Sequence, residues 1–162
     1  MQMTILTHPT PQTSFGFMRR PTSNRGELSP EVRTLDLERI TSKLSKQPGW
    51  DLTRAREAEL AYRRFLQLRV LYPTTSLVPT LDIDEVWHAH ILDTRAYAED
   101  CERLFGGFMH HAPAWDGENR VELEIAFAAT QGLWMDVFGE DLVDAARCEG
   151  KPCHADTPCR CR

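Results

Sequence analysis

The longest regular pattern in the chain begins at Asp51 and ends before Pro73, and it has the period of an α-helix. Apolar residues recur there every three or four positions, and arginines occupy positions between them. A helix of about 3.6 residues per turn gathers the apolar residues on one side and the arginines on the other. Because Asp51 is a favourable cap and proline stops a helix, the pattern predicts a long helix to about Tyr72. Its apolar side comprises Ala58, Ala61, Tyr62, Phe65, Leu68 and Tyr72.

Helix-start residues predict two further helices. Ser29 precedes Pro30, and proline is favoured at the first helical position, so a helix is predicted from Pro30 to the stop at residues 47–49. Asp82 and Glu85 have the spacing of a capping box, which predicts the start of another helix. The first of these helices would bury Leu37, Ile40 and Leu44, and the second would carry Ile83, Val86, Trp87 and Ile91.

Two more helices complete the prediction. Asp93 is expected to cap a fourth helix, which ends at the glycine pair 106–107. The apolar spacing in residues 119–138 predicts a fifth helix, which ends at Gly139. Its apolar stripe is predicted to contain Val121, Ile125, Ala128 and Gly132, with Leu123, Phe127 and Trp134 beside it.

The composition fits one helical domain. The chain has 162 residues, of which 41% are hydrophobic, and this is enough for a single core. Strand-like alternation is scarce and no internal repeat is present, so the expected fold is all-α, a compact bundle of about five helices. We expect a flexible or extended leader at residues 1–28, the helical domain at 29–147 and a cysteine-rich tail at 148–162.

The charge balance excludes some classes of partner. Nineteen Lys and Arg residues stand against 24 Asp and Glu residues, with a formal net charge of -5, and the two signs are interspersed. This distribution argues against a nucleic-acid or membrane-surface binder. The N-terminus lacks the features of a secretory signal and no segment is long and apolar enough to span a membrane, so a cytoplasmic location with reduced thiols is expected.

Residues 81–101 concentrate groups that can bind metals. Asp84 and His88 are four positions apart, so they face the same side of a helix. His90 lies two positions further and points about 200 degrees around the helix, so it can join them only if the helix unwinds nearby. Asp93 makes such a break plausible. Cys101 lies eight residues after Asp93 and four after Tyr97, so these residues share one face of the next helix. His110 and His111 follow the glycine stop and can fold back over either helix.

These nitrogen, oxygen and sulfur donors suit Zn(II) or another transition metal. The predicted site uses His88, His90 and Cys101, with Asp84 or Asp93 as a ligand or as support. His111 is expected to be an additional ligand. Trp87 and Tyr97 are expected to support the site.

A purely structural interpretation of the same residues stays open. In it Asp93 is a helix cap, Cys101 and Trp87 are core residues, and Asp84 holds the imidazole of His88. A third alternative is a thiol- or metal-dependent hydrolase in which a histidine activates Cys101. That enzyme would need an open pocket, and the chain has no catalytic motif of a known class. No glycine-rich phosphate loop follows a strand, so no nucleotide cofactor is expected.

The C-terminal tail holds a second cluster of donors. Its members are Cys148, Cys153, His154, Cys159 and Cys161. Such a cluster predicts a second metal or redox site, because several thiols close together bind soft ions or exchange disulfides. The alternative function is an interaction or scaffold protein, whose tail meets a protein partner, chelates metal or is modified.

The segment YRRFLQLRVLYP, followed by LDIDEVWHAHILDTRAYAEDCERLFGGFMHH, resembles bacterial members of the glycine-rich domain-containing protein-like family. The resemblance covers about residues 55–112 and centres on a Trp-His-x-His-x-Leu-Asp core, followed by Tyr, Cys and Phe-Gly. It implies a stand-alone copy of a helical module, without a glycine-rich region, and it implies no substrate. The matching positions are Asp84, Trp87, His88, His90, Asp93, Tyr97, Cys101 and His111.

Overall fold

The structure is a computed structural model that describes residues 26–112 and 120–143. The described residues form six helices: α1 (Pro30–Arg33), α2 (Glu38–Leu44), α3 (Leu52–Leu71), α4 (Leu81–Leu92), α5 (Thr94–Phe105) and α6 (Arg120–Phe138). These described ranges contain no β-strand, so the predicted all-α class is confirmed. The predicted tail at 148–162 and residues 1–25 of the predicted leader lie outside the described residues.

The long helix α3 is the centre of the bundle. Helices α1, α2, α4 and α6 contact it, and α5 packs against α4. The side chain of Asp51 accepts a hydrogen bond from the backbone N–H of Arg54 at 2.8 Å, as expected of an N-cap. The helix therefore has the predicted start and end. Its fully buried aromatic and aliphatic side chains include Tyr62, Phe65, Leu66 and Leu68.

The helix predicted to begin at Pro30 is two helices, so the prediction of a continuous helix is wrong. Leu35 and Leu37 are both buried, and residues two apart on one helix cannot face the same side. A break between α1 and α2 lets both enter the core. Carbonyl groups freed at the break accept hydrogen bonds from the Arg63 guanidinium of α3, which donates to Val32, Arg33 and Leu35 at 2.9, 3.2 and 2.9 Å.

The start of α4 also differs from the prediction. Thr80 is the N-cap, and its hydroxyl oxygen accepts a hydrogen bond from the backbone N–H of Ile83 at 3.4 Å. Asp82 instead forms an ion pair with Arg54 of α3, at 2.6 Å. Asp93 alone connects α4 to α5, and among the described residues its side chain makes no capping hydrogen bond. Asp93 therefore occupies the predicted N-cap position of α5, but its side chain does not supply the capping bond.

Helix α6 contacts α3 through the second of its two predicted apolar rows, the one that contains Phe127 and Trp134, and not through the row of Val121 and Ile125. Thr130, Trp134 and Val137 are buried, whereas Val121 and Ile125 are exposed. Both stripes have helical spacing, and the helix buries the one that carries its large aromatic residue. Gly139 ends the helix with a φ of 76°. Across the described residues, none of the helices has the length and apolar character needed to span a membrane.

Candidate metal site

Three ligand-type side chains meet on the solvent side of α4. Asp84 and His88 are one helical turn apart, and His111 reaches them from the segment that follows α5. His111 Nε2 lies 2.9 Å from Asp84 Oδ1, and His88 Nδ1 lies 3.7 Å from Asp84 Oδ2. The two imidazole rings are 4.6 Å apart between centroids. Each residue offers one ligand atom, and these atoms all lie within 4.8 Å of one another.

A chain of buried contacts places His111 at this site. Helix α5 ends at Gly106, whose φ of 68° turns the following segment back toward α4. The Tyr97 hydroxyl donates a hydrogen bond to the carbonyl of Met109 at 2.5 Å and accepts one from Trp87 Nε1 at 2.8 Å. The Trp87 ring then packs against His111, with 4.6 Å between centroids. Trp87 and Tyr97 thus contact the segment that carries His111.

The spacing of the three groups is compatible with one bound ion. Metal–nitrogen and metal–oxygen bonds of about 2.0 Å in tetrahedral geometry separate neighbouring ligand atoms by about 3.3 Å. The observed separations of 2.9 and 3.7 Å lie on either side of this value. Two imidazole nitrogens and one carboxylate oxygen form a donor set that suits zinc and other first-row transition metals. The two histidine contacts end on different oxygens of Asp84, and one ligand atom from each residue lies within 4.8 Å of the others.

His90 does not join this group, because α4 continues unbroken to Leu92 and turns it to the opposite side. Its Nδ1 is 3.0 Å from the Tyr62 hydroxyl, and its Nε2 lies 3.2 Å from Asp100 Oδ2. The contact of Nε2 with Asp100 does not have the geometry of a hydrogen bond, so Nε2 has no hydrogen-bond partner among the described residues. Burial lowers the pKa of His90, and this effect outweighs the opposing influence of Asp100. We therefore assign the neutral imidazole to the core. The sequence alone did not indicate Tyr62 or Asp100 as its neighbours.

Cys101 and Asp93 also lie apart from the group. Cys101 is 2% exposed, and burial raises the pKa of its thiol, so the reactive thiolate is disfavoured. Asp93 is exposed at the junction between α4 and α5. The expected convergence of His88, His90 and Cys101 is thus not found among the described residues, whereas Asp84, His88 and His111 do converge. The tail residues 148–162 lie outside the described residues.

The environment of Cys101 leads to a prediction about its reactivity. Treated with iodoacetamide at neutral pH, the native full chain is expected to leave Cys101 unmodified, because the thiol is buried and largely protonated. Peptide mapping by mass spectrometry would measure this, with the chain unfolded in urea as the fully labelled control. Labelling of Cys101 at the same rate in both states would contradict the prediction and would favour a thiol-enzyme function.

Comparisons with known proteins agree with the resemblance noted in the sequence. The sequence model of a family described as UCP032817-like matches residues 32–124, a range that includes all three members of the cluster. Two proteins of Arabidopsis thaliana, Glycine-rich domain-containing protein 1 and Glycine-rich domain-containing protein 2, are each 32% identical over 88 residues. These matches cover 51% of this chain but 11% of each relative, so the chain corresponds to a small part of them. No solved structure matches the chain.

Proposed function

The chain belongs to the UCP032817-like family, and we propose that its helical domain binds one divalent transition-metal ion through Asp84, His88 and His111. The convergence of these three side chains carries the proposal. Zinc is the first ion to test, because two imidazoles and a carboxylate are a common zinc donor set. This function retains part of the donor set expected from the sequence and assigns His90 and Cys101 to the core.

The hydrogen bond within the cluster joins two of its three members, and the exposed side chain of His88 can bond with water. Hydrogen bonding accounts for the contact between Asp84 and His111, whose atoms are 2.9 Å apart. It does not account for His88, because its Nδ1 is 3.7 Å from the carboxylate, beyond ordinary hydrogen-bond distance. An ion between the three groups would give each of them a partner.

The proposal is tested by zinc titration of the full chain, purified without an affinity tag and stripped of metal. The four cysteines at 148, 153, 159 and 161 are replaced with serine in every sample, so that tail thiols do not compete for the ion. Isothermal titration calorimetry is expected to show one zinc per chain. The variants Asp84→Asn, His88→Ala and His111→Ala are each expected to weaken binding by more than about 100-fold.

His110→Ala is the matched control, because His110 is exposed, adjacent to His111 and outside the cluster. It packs against Phe108, with 4.9 Å between ring centroids. This control is expected to bind zinc as tightly as the parent chain. Unchanged affinity in all three cluster variants, or equal losses in the cluster variants and the control, would overturn the proposal.

A further inference from the structure

The three donors of the metal site all approach from one side. Asp84 and His88 project from a single turn of α4, and His111 is held by the segment that returns over Trp87. The Trp87 side chain is buried beneath His111, which closes the site toward the core. Any further ligand must therefore reach the ion from the solvent side.

Exposure within the cluster identifies the open direction. The side chain of His88 is 48% exposed, that of Asp84 is 27% exposed and that of His111 is 18% exposed. The site is thus most accessible beside His88. The described part of the chain brings three donors together, whereas zinc and related ions take at least four ligands. Three protein ligands plus one exchangeable position are typical of reactive metal sites, while structural sites are closed.

Charge determines which ligand the remaining position favours. A divalent ion held by two neutral imidazoles and the Asp84 carboxylate keeps a net positive charge. The neighbouring carboxylate of Asp82 is neutralised by Arg54, at 2.6 Å. Glu85, exposed between Asp84 and His88 on α4, keeps a negative charge nearby, so the ion itself is the positive charge that draws an anion to this solvent-facing position.

We propose that the ion bound by Asp84, His88 and His111 keeps one coordination position open beside His88, and that this position binds a small anion through oxygen, such as phosphate or a carboxylate. This inference rests on the proposed function. It makes the site one that receives a ligand from solution, in addition to holding an ion.

Cobalt(II) provides the test, because its visible absorption bands respond to each change in the ligands of the ion. The full chain with the four tail cysteines replaced by serine is loaded with cobalt and titrated with inorganic phosphate and, separately, with sodium acetate. Each titration is expected to give a saturable shift of the bands. Sodium perchlorate at equal ionic strength, a weakly coordinating control, is expected to give no shift. His110→Ala should respond as the parent chain does.

Equilibrium dialysis of the same samples determines whether cobalt stays bound, and the outcomes separate the two proposals. A saturable shift with cobalt retained supports the open position, and the two titrations show which anion is preferred. Unchanged bands with cobalt bound, or release of cobalt to the anion, would overturn it and leave the metal site intact. Failure of the chain to bind either cobalt or zinc would instead overturn the proposed function.

Discussion

Replacing Arg63 with methionine is expected to lower the free energy of unfolding by about 3 kcal/mol. The Arg63 guanidinium donates hydrogen bonds to three backbone carbonyls at the break between α1 and α2, and it pairs with Glu59 at 2.7 Å. Both side chains of this ion pair are largely buried. Methionine keeps much of the apolar stem, so the expected loss comes from the hydrogen bonds that the carbonyls and Glu59 Oε1 lose. Urea denaturation followed by circular dichroism would measure it.

Arg56→Met is the matched control for this prediction. Arg56 pairs with the same carboxylate, Glu59, at 3.1 Å, but its side chain is half exposed and it bonds to no carbonyl at the break. Its replacement is expected to change the free energy of unfolding much less than Arg63→Met does. Equal losses in the two variants would show that pairing with Glu59 explains the effect and that the bonds to the break contribute little.

Tyr97→Phe is expected to destabilise the fold by about 2 kcal/mol and, given the proposed metal site, to weaken zinc binding roughly tenfold. The change keeps the ring and removes one hydroxyl. Trp87 Nε1 then loses its acceptor and the Met109 carbonyl loses its donor, and both residues are buried. The segment that carries His111 would lose one of its hydrogen bonds to α5. Urea denaturation and zinc titration of the same variant measure the two effects.

Tyr62→Phe separates positioning of the metal site from general stability. Tyr62 is equally buried, and its hydroxyl is 3.0 Å from His90 Nδ1, on the side of α4 away from the cluster. This variant is expected to lose similar stability while zinc affinity stays unchanged. If both variants bound zinc as the parent chain does, Tyr97 would be a core residue without a role in placing His111.

Local spacing predicted the features of the fold that depend on local sequence. Asp51 and Pro73 defined the start and end of α3, and its apolar period predicted the buried side. The break before α2 required long-range information, since Arg63 stabilises it from another helix, thirty residues along the chain. The buried side of α6 was likewise uncertain, because its two stripes have the same period and only packing selects between them.

In the candidate site, too, local spacing predicted some positions and long-range contacts determine the others. Asp84 and His88 were placed together by their spacing on one helix, and this pairing holds because α4 is regular. His90 was expected to join them through unwinding that does not occur. Its position two residues from His88 already indicated the opposite face of α4, where it lies close to Tyr62 and Asp100. The approach of His111 depends on the turn at Gly106 and on Tyr97, which spacing alone does not determine.

The hydrophobic core and the three-donor cluster occupy separate parts of the bundle. The largest fully buried side chains belong to residues outside the cluster, so the apolar interior is complete without an ion. Small zinc modules differ, because many of them are unfolded until the metal binds. Metal binding at the proposed site would consequently be an addition to a scaffold whose core does not need the ion, and its donors could be exchanged for others without rebuilding the protein around them.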